Sequence, residues 1–385
     1  MKHTRSIVTF LIIAVCAIFL ESFSAAQQFL TGTVYRVGNN PGQIIAADLN
    51  NDGKLDLAVC DQNQGVALLL GNGDGTFQPA THFRLSSCTA IAAADFNGDG
   101  FMDLAVVQYL GSVDKHSVVI IFLGSANGTF TEFTHYSGGN GAVSIAVGDF
   151  NGDKHPDLAI AFSFQNLPQA GYVGVLLGNG NGTFEPFEEI GIPRGHPWSV
   201  AAGDVNGDGH VDLVVSNDNN TETSPATLFV FVNNGDGTFT RTADYKAGYE
   251  ALDVVIGDVN HDNNPDLVVA SASDQVIGVF LGNGNGTFQN PITYSTLSTG
   301  TAPDAVVVAD FNLDGNPDII YLPQIGNPGL MYGNGNGTFQ SPVAVSTIGA
   351  GGSSLAVGDF NQDGAPDFAV SLADKSSAVV FINAQ

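Results

Sequence analysis

The sequence predicts an all-β protein, a single seven-bladed β-propeller whose blades are four-stranded antiparallel sheets. One acidic pattern, Asp-x-Asn-x-Asp-x-x-x-Asp, recurs seven times, and short runs of small and β-branched residues flank each copy. A Gly-rich turn that ends in Thr-Phe follows every copy except the last. The copies begin 47 to 55 residues apart, a period that favours propeller blades over helical repeats.

Each repeat contains four segments that we expect to be strands. A run such as Ile91–Ala94 enters the acidic loop, a second run such as Leu57–Val59 leaves it, a third such as Val66–Leu70 reaches the Gly-rich turn, and a fourth follows the Phe. Four strands separated by turn signals form one antiparallel sheet per repeat. The alanine-rich entry runs suit the innermost position, where seven strands crowd around the axis.

The two ends of the chain predict how the ring closes. The last repeat stops after its third strand, at 377–383, without a Gly-Thr-Phe turn. The segment Phe29–Arg36 resembles the missing fourth strand, so we expect the two termini to complete one blade and leave no open edge.

The acidic loops carry the candidate metal ligands. Three carboxylates and one amide oxygen alternate in each loop, which is the hard-oxygen chemistry that Ca²⁺ prefers, and three clustered Asp side chains would repel one another without a cation. The sequence therefore predicts up to seven Ca²⁺ ions, one per blade. The predicted ligands are Asp48, Asn50, Asp52, Asp56; Asp95, Asn97, Asp99, Asp103; Asp149, Asn151, Asp153, Asp157; Asp204, Asn206, Asp208, Asp212; Asp258, Asn260, Asp262, Asp266; Asp310, Asn312, Asp314, Asp318; and Asp359, Asn361, Asp363, Asp367.

The acidic loops have two alternatives to this calcium prediction. An EF-hand is excluded, because its loop needs a Glu at the twelfth position and an exit helix, whereas here the twelfth positions, such as Val59, lie inside β-runs. An Asp/Asn/Gly-rich hairpin without metal is the structural alternative.

A Gly follows the third ligand in five loops, where a tight turn favours positive φ. Lys154 and Asn263 replace it, so we expect weaker third and fifth sites.

The loops resemble a known family. A stretch such as Asp95-Phe-Asn-Gly-Asp-Gly-Phe-Met-Asp-Leu104 is similar to the FG-GAP repeats of integrin α-subunit propellers and of bacterial VCBS-type proteins. The resemblance covers nearly all of the chain after residue 26. It implies that the four aligned side chains of each loop bind Ca²⁺ on the hairpin between the first two strands of a blade.

The first 26 residues are expected to be a signal peptide, and residues 27–385 one propeller domain. Lys2 and Arg5 precede an apolar run from Ile7 to Leu20 and then small residues, which is typical of an export signal. An uncleaved N-terminal anchor is the alternative. Cys60 and Cys88 remain after cleavage; they could form a disulfide in an oxidising compartment or serve as small core residues.

The net charge and the motifs limit the classes of function that the sequence favours. The formal net charge is −27, which disfavours nucleic acid and anionic lipid as partners. The sequence favours a secreted, non-enzymatic adhesion or ligand-binding module for a protein or a glycan. An extracellular polysaccharide lyase or hydrolase on the same propeller is the alternative, since such a site need not carry a sequence motif.

Strand parity, the alternation of strand direction along each blade, predicts where a ligand would bind. The acidic loops and the Gly-rich turns should share one face, so the opposite face should carry the variable loops, where binding residues are usually found. The candidate ligand-face residues are Arg194, His196 and Trp198, from the least repeat-like stretch of the chain. Trp198 could equally fill a junction between blades.

Overall fold

The computed structural model describes residues 29–110, 116–163, 171–192, 195–218, 226–297, 300–345 and 352–384. Twenty-eight strands form seven four-stranded antiparallel sheets, which confirms the predicted propeller. The predicted signal peptide at 1–26 lies outside these residues. Among the described residues the helical structure is limited to one turn of 3₁₀ helix, Ala373–Lys375, so none of it could cross a bilayer as a helix.

Six blades are built from consecutive strands. In chain order the strands are β1 (Thr33–Arg36), β2 (Pro41–Ala47), β3 (Asp56–Asp61), β4 (Gly65–Leu69), β5 (Thr81–Phe83), β6 (Ala90–Ala94), β7 (Asp103–Tyr109), β8 (His116–Leu123), β9 (Thr131–Asn140), β10 (Ala142–Gly148), β11 (Asp157–Phe162), β12 (Tyr172–Leu176), β13 (Glu188–Gly191), β14 (His196–Gly203), β15 (Asp212–Asp218), β16 (Thr227–Asn233), β17 (Phe239–Lys246), β18 (Ala251–Gly257), β19 (Asp266–Ser271), β20 (Val276–Phe280), β21 (Ile292–Ser295), β22 (Pro303–Ala309), β23 (Asp318–Pro323), β24 (Gly329–Met331), β25 (Val343–Ala344), β26 (Ser354–Gly358), β27 (Asp367–Leu372) and β28 (Ser377–Phe381). Strands β2–β5 form blade 1 and each following group of four forms the next blade, up to β22–β25 in blade 6.

Position within the blade sets the burial of each strand. The first strands of neighbouring blades contact one another around the axis, as their small residues predict. Second strands such as β3 and β11 are buried at every residue, whereas fourth strands such as β17 and β21 alternate between exposed and half-buried positions. The core lies between blades, because each apolar cluster combines residues from two adjacent sheets.

The ring closes through the N-terminal strand, as predicted. Strand β1 pairs antiparallel with β28 to complete blade 7, with Thr33 opposite Val380. Phe29 forms a further bridge to Asn383, and its ring packs edge-on against Phe368, 4.9 Å away, and Phe311, 6.0 Å away. Blade 7 is therefore held by both ends of the chain, and Phe29 also joins it to blade 6.

The two cysteines of the described chain form a disulfide. Cys60 lies in β3 and Cys88 in the connection that leads to β6, with their Cα atoms 5.1 Å apart. Both residues are buried in the apolar cluster between blades 1 and 2, so they serve as core residues and as a cross-link at once. A bridge across 28 residues stabilises the fold by about 2–4 kcal/mol.

We expect Phe29→Ala to weaken ring closure far more than Leu30→Ala. Phe29 is 4 % exposed, and truncating a buried Phe costs about 3–5 kcal/mol, whereas Leu30 is 52 % exposed. Urea unfolding of the two variants measures the difference. Equal losses of unfolding free energy would contradict the closure described above.

Candidate metal loops and channel mouth

Each acidic pattern forms the hairpin between the first and second strands of its blade, and all seven share one pattern of exposure. The first Asp and the Asn are half-buried, the third ligand position is exposed, and the last Asp is completely buried. The residue after the first Asp, such as Phe96 or Phe150, is also buried. The loop is thus anchored at both ends and exposed at its tip.

The buried last Asp joins the two hairpins of its blade. In blade 2, Asp103 accepts the N–H of Phe96 at 2.9 Å on Oδ2 and that of Gly124 at 2.8 Å on Oδ1. Phe96 belongs to the acidic loop and Gly124 to the Gly-rich turn. Across the seven blades these two hydrogen bonds measure 2.7–3.0 Å and 2.6–2.8 Å. The acidic loops and Gly-rich turns therefore share one face, as strand parity predicts.

Burial raises the pKa of this last carboxyl group. The pKa is raised to about 6 at Asp56, Asp103, Asp157, Asp266, Asp318 and Asp367, and is also raised at Asp212. Loss of hydration is the largest cause, and nearby carboxylates of the same loop add to it. The two backbone hydrogen bonds lower the pKa but do not offset these effects. Each blade thus holds a carboxylate whose negative charge is only partly compensated.

The remaining side chains of the loop accept hydrogen bonds from its own backbone. In blade 2, Asp95 Oδ2 accepts the N–H of Gly100 at 2.8 Å, Asn97 Oδ1 accepts that of Asp99 at 2.9 Å, and Asp99 Oδ1 accepts that of Phe101 at 2.9 Å. The same three bonds recur in the other six loops. These bonds fix the direction of every predicted ligand.

The donor set fits calcium, although no group of three or more His, Cys, Asp or Glu side chains in the described chain is arranged as a ready-made metal cluster. Neutral N–H donors occupy the carboxylate oxygens without neutralising them, and a carboxylate has about four acceptor positions, so capacity for a cation remains. Of the ion pairs between described residues, only Lys54–Asp52 involves a loop. Calcium binding therefore stays a prediction.

Two positions of each loop have left-handed backbone geometry. The position after the third ligand has φ between 64° and 90°, as predicted, and both Lys154 (φ 70°) and Asn263 (φ 64°) adopt it. The position between the Asn and the third ligand is left-handed as well, with Leu313 at φ 57° and His261 at φ 62°. No sequence pattern marks this second position, because varied residues occupy it.

Each acidic loop also contacts the next blade. In the junction between blades 2 and 3, Phe184 of the Gly-rich turn packs 5.5 Å from Phe96 and 5.6 Å from Tyr136, whose hydroxyl accepts the Phe184 N–H at 2.7 Å. The N–H of Gly182 donates to the Phe96 carbonyl at 2.8 Å. Similar Tyr–Phe pairs occur at Tyr35–Phe77, Tyr245–Phe288 and Tyr294–Phe339. The loops therefore form part of the contacts that join the blades.

The opposite face opens into a cavity of about 590 Å³ on the propeller axis. All seven blades contribute, because the cavity is lined by the starts of the first strands and by nearby loop residues. Five of these strands begin with an irregularity in register, which turns extra side chains such as Trp198 and Asp304 inward. Below the mouth the channel continues as a second space of about 400 Å³.

A hydrogen-bonded belt lies where the mouth meets this second space. It occupies the position five residues before each acidic loop, where Gln43, Ala90, Ser144, Ser199, Asp253, Ala305 and Ser354 stand. Four of these side chains accept a backbone N–H from the following blade, at 2.8 to 3.3 Å. Polar residues at five of the seven copies of one position in an apolar strand are the sequence signal that could have identified this site.

Comparison with protein families agrees with this architecture. The model of the FG-GAP-like repeat matches residues 48–106, 109–160, 162–215, 205–269, 258–321 and 312–370. The chain belongs to the FG-GAP-like repeat family. No curated protein matches the sequence of this FG-GAP-like propeller.

Several solved structures share the fold. A lectin from Agrocybe aegerita, described as recognising non-reducing terminal N-acetylglucosamine, is 18% identical over 88% of this chain and 87% of its own, with a TM-score of 0.57. The BP39L lectin from Burkholderia pseudomallei is 15% identical over 90% and 96%, with a TM-score of 0.66. BBS1N, in a complex with ARL6DN, is 12% identical over 93% and 98%, with a TM-score of 0.62. At these identities the likeness concerns the fold alone.

The predicted ligand-face residues of the FG-GAP-like propeller have different outcomes. Trp198 lines the channel mouth, and its indole nitrogen is covered, without a hydrogen-bond partner among the described residues. His196 is only 7 % exposed and does not line the cavity, so it presents little surface to a ligand. Arg194 lies outside the described residues.

Reciprocal substitutions should show the cost of the left-handed position in the FG-GAP-like loops. A left-handed residue other than Gly is disfavoured by about 1 kcal/mol or more, so Lys154→Gly should raise the free energy of unfolding and Gly100→Lys should lower it. A Cβ atom at Gly100 would meet no atom within 4 Å, so the effect is conformational rather than steric. Urea unfolding at a fixed calcium concentration measures both, and changes of the same sign would contradict this account.

Proposed function

We propose that the protein is a secreted, calcium-binding, non-enzymatic module that binds a glycan at the mouth of its axial channel. The channel mouth is the observation that carries this proposal. It is the place where the blades bring an indole, several carboxylates and several amides to one concave surface. Concave sites with a few convergent polar groups are the usual location of ligand binding.

The lining chemistry suits a sugar. Carboxylates and amides can accept and donate the paired hydrogen bonds that neighbouring hydroxyl groups require. The side chains of Gln43, Gln62 and Gln324 line the mouth, and Trp198 supplies an aromatic surface beside them. An indole has a large apolar face, which matches the apolar surface of a pyranose.

The similar structures give this proposal independent support. Two of the solved propellers with the same fold are described as lectins, one of them by its recognition of N-acetylglucosamine. Their identity to this chain is too low to transfer a binding site, so the residues proposed here come from the channel mouth itself. A glycan is preferred to a protein ligand because a cavity of about 590 Å³, bounded by all seven blades, has the size of a small-ligand site.

Calcium would be held by the acidic loops on the other face. The three Asp side chains and the Asn of each loop would hold the ion, which when bound would supply positive charge to a partly buried acidic site. The loops and Gly-rich turns of neighbouring blades are in contact, so fixing the loops would also fix the ring that surrounds the channel mouth. Secretion into a calcium-rich medium is consistent with these loops and with the disulfide.

The calcium effect on stability should depend on pH. The last Asp of each loop has a pKa raised to about 6, above the roughly 3.9 of an unfolded Asp. Between these values the folded protein binds more protons, so metal-free protein should lose stability as the pH rises through about 6. Calcium needs the ionised carboxylates, so its stabilising effect should grow over the same range.

Thermal unfolding of chelator-treated, desalted protein, with and without added calcium, tests this at about pH 5 and about pH 7.5. We expect a large calcium-dependent rise in Tm at the higher pH and a much smaller one at the lower pH. Magnesium is the matched control ion. A Tm that calcium leaves unchanged at pH 7.5 would rule out the proposed calcium role.

Glycan binding should depend on the channel mouth. We expect Trp198→Ala to abolish most binding on a glycan array, and Trp198→Phe, which keeps an aromatic ring, to retain part of it. Phe133→Ala is the matched control, because Phe133 is an exposed aromatic residue on the outer strand β9. Unchanged binding in Trp198→Ala would place the site elsewhere, and release of unsaturated oligosaccharides would identify a lyase.

A further inference from the structure

We infer that the channel mouth selects glycans that carry an ammonium group, such as amino sugars, through the carboxylates of Asp304 and Glu250. This inference rests on the proposed glycan site and adds the charge of its ligand. It follows from the hydrogen bonds that each carboxylate in the cavity accepts. Some carboxylates have both oxygens occupied by donors of the fold, and others keep one oxygen that a ligand could meet.

Asp253 is used by the fold. Its Oδ1 accepts hydrogen bonds from the Ser199 hydroxyl and the Val254 N–H, both at 3.0 Å, and its Oδ2 accepts one from the Val306 N–H at 3.0 Å. These partners belong to blades 4, 5 and 6, so Asp253 ties three blades together. It lies deep in the channel wall, where burial raises its pKa. Both oxygens of Asp253 are therefore already engaged by the fold.

Asp304 and Glu250 are available. Asp304 Oδ1 accepts a hydrogen bond from Gln324 Nε2 at 3.1 Å, and Glu250 Oε2 accepts one from the Ser273 hydroxyl at 2.5 Å. Among the described residues, the second oxygen of each carboxylate has no hydrogen-bond donor. One oxygen is thus held in place while the other remains free to meet a ligand in the cavity that both residues line.

The cavity does not neutralise this charge with its own cations. The described residues that line it include Glu250, Asp253 and Asp304 but no Lys, Arg or His. Burial is the largest cause of the raised pKa of Asp304 and of Asp253. Repulsion adds to it, from Glu250 at Asp304 and from Asp304 at Asp253. An ammonium group would relieve this repulsion and donate up to three hydrogen bonds, whereas a uronic acid would be repelled.

Trp198 lies in the wall of the same cavity, from blade 4, whereas Glu250 and Asp304 come from the starts of blades 5 and 6. An indole is compatible with a cationic sugar, since the face of an aromatic ring attracts positive charge. The pair of free oxygens supplies the selectivity for charge, and Trp198 supplies a contact that neutral and cationic sugars share. The two contributions can be separated by mutation.

Titration calorimetry in calcium, at a pH where amino sugars are protonated, tests the inference with three ligands. These are glucosamine oligomers, N-acetylglucosamine oligomers and galacturonate oligomers. We expect glucosamine oligomers to bind best and galacturonate oligomers not to bind. Asp304→Asn and Glu250→Gln should each weaken glucosamine binding about ten-fold or more, as expected for a charge-assisted hydrogen bond, and leave N-acetylglucosamine binding nearly unchanged. Glu188→Gln is the control, because Glu188 is an exposed carboxylate on the edge strand β13.

The outcomes separate this inference from the proposed function. Suppose that N-acetylglucosamine oligomers bind as well as glucosamine oligomers and that this binding needs Trp198. That result would overturn the inference and keep the glycan site. Binding of glucosamine oligomers that Asp304→Asn does not weaken would also overturn it. If none of the three sugars binds, the inference fails, and the glycan array decides whether the glycan site stands. If Asp304→Asn alters the melting temperature, Glu250→Gln gives the decisive comparison, because Glu250 is exposed.

Discussion

The buried aspartate at the end of each acidic loop is the interaction on which the propeller depends most directly. Its two oxygens accept one backbone N–H from the acidic loop and one from the Gly-rich turn, or from Asn383 in blade 7. A single side chain thus joins the acidic loop to the end of the third strand of its blade. An unpaired buried donor or acceptor would cost about 1–3 kcal/mol, and the bond pair recurs in seven blades. The same burial raises the pKa of this carboxyl group, to about 6 in six of the blades.

The junctions between blades extend this constraint around the ring. The Phe of each Gly-rich turn belongs to one blade, but it packs against aromatic side chains of the preceding blade, as Phe184 does against Phe96 and Tyr136. The N-terminal Phe29 makes the equivalent contact at blade 7. A change in one acidic loop therefore acts on the neighbouring blade through direct packing.

The two faces of the ring have different chemistry for one topological reason. Strand parity places every acidic loop and Gly-rich turn on one face, where the repeats must stay alike because neighbouring blades pack there. The first strands start on the other face, where the belt around the axis joins neighbouring blades. Asp304, Glu250 and Trp198 could therefore diverge from the repeat without disturbing the core, and the ring brings them to one cavity.

The sequence alone determined the number of blades, the order of strands, the closing strand and the sharing of one face by the loops, because each follows from a local pattern repeated seven times. It also singled out Trp198, which lies in a stretch unlike the repeats, as a candidate ligand-face residue. Only the tertiary structure decided that Cys60 and Cys88 form a bridge, that His196 is buried, and that Asp304 and Glu250 meet in one cavity. These outcomes depend on closing the ring, which brings together residues that are far apart in the chain and carry no common spacing.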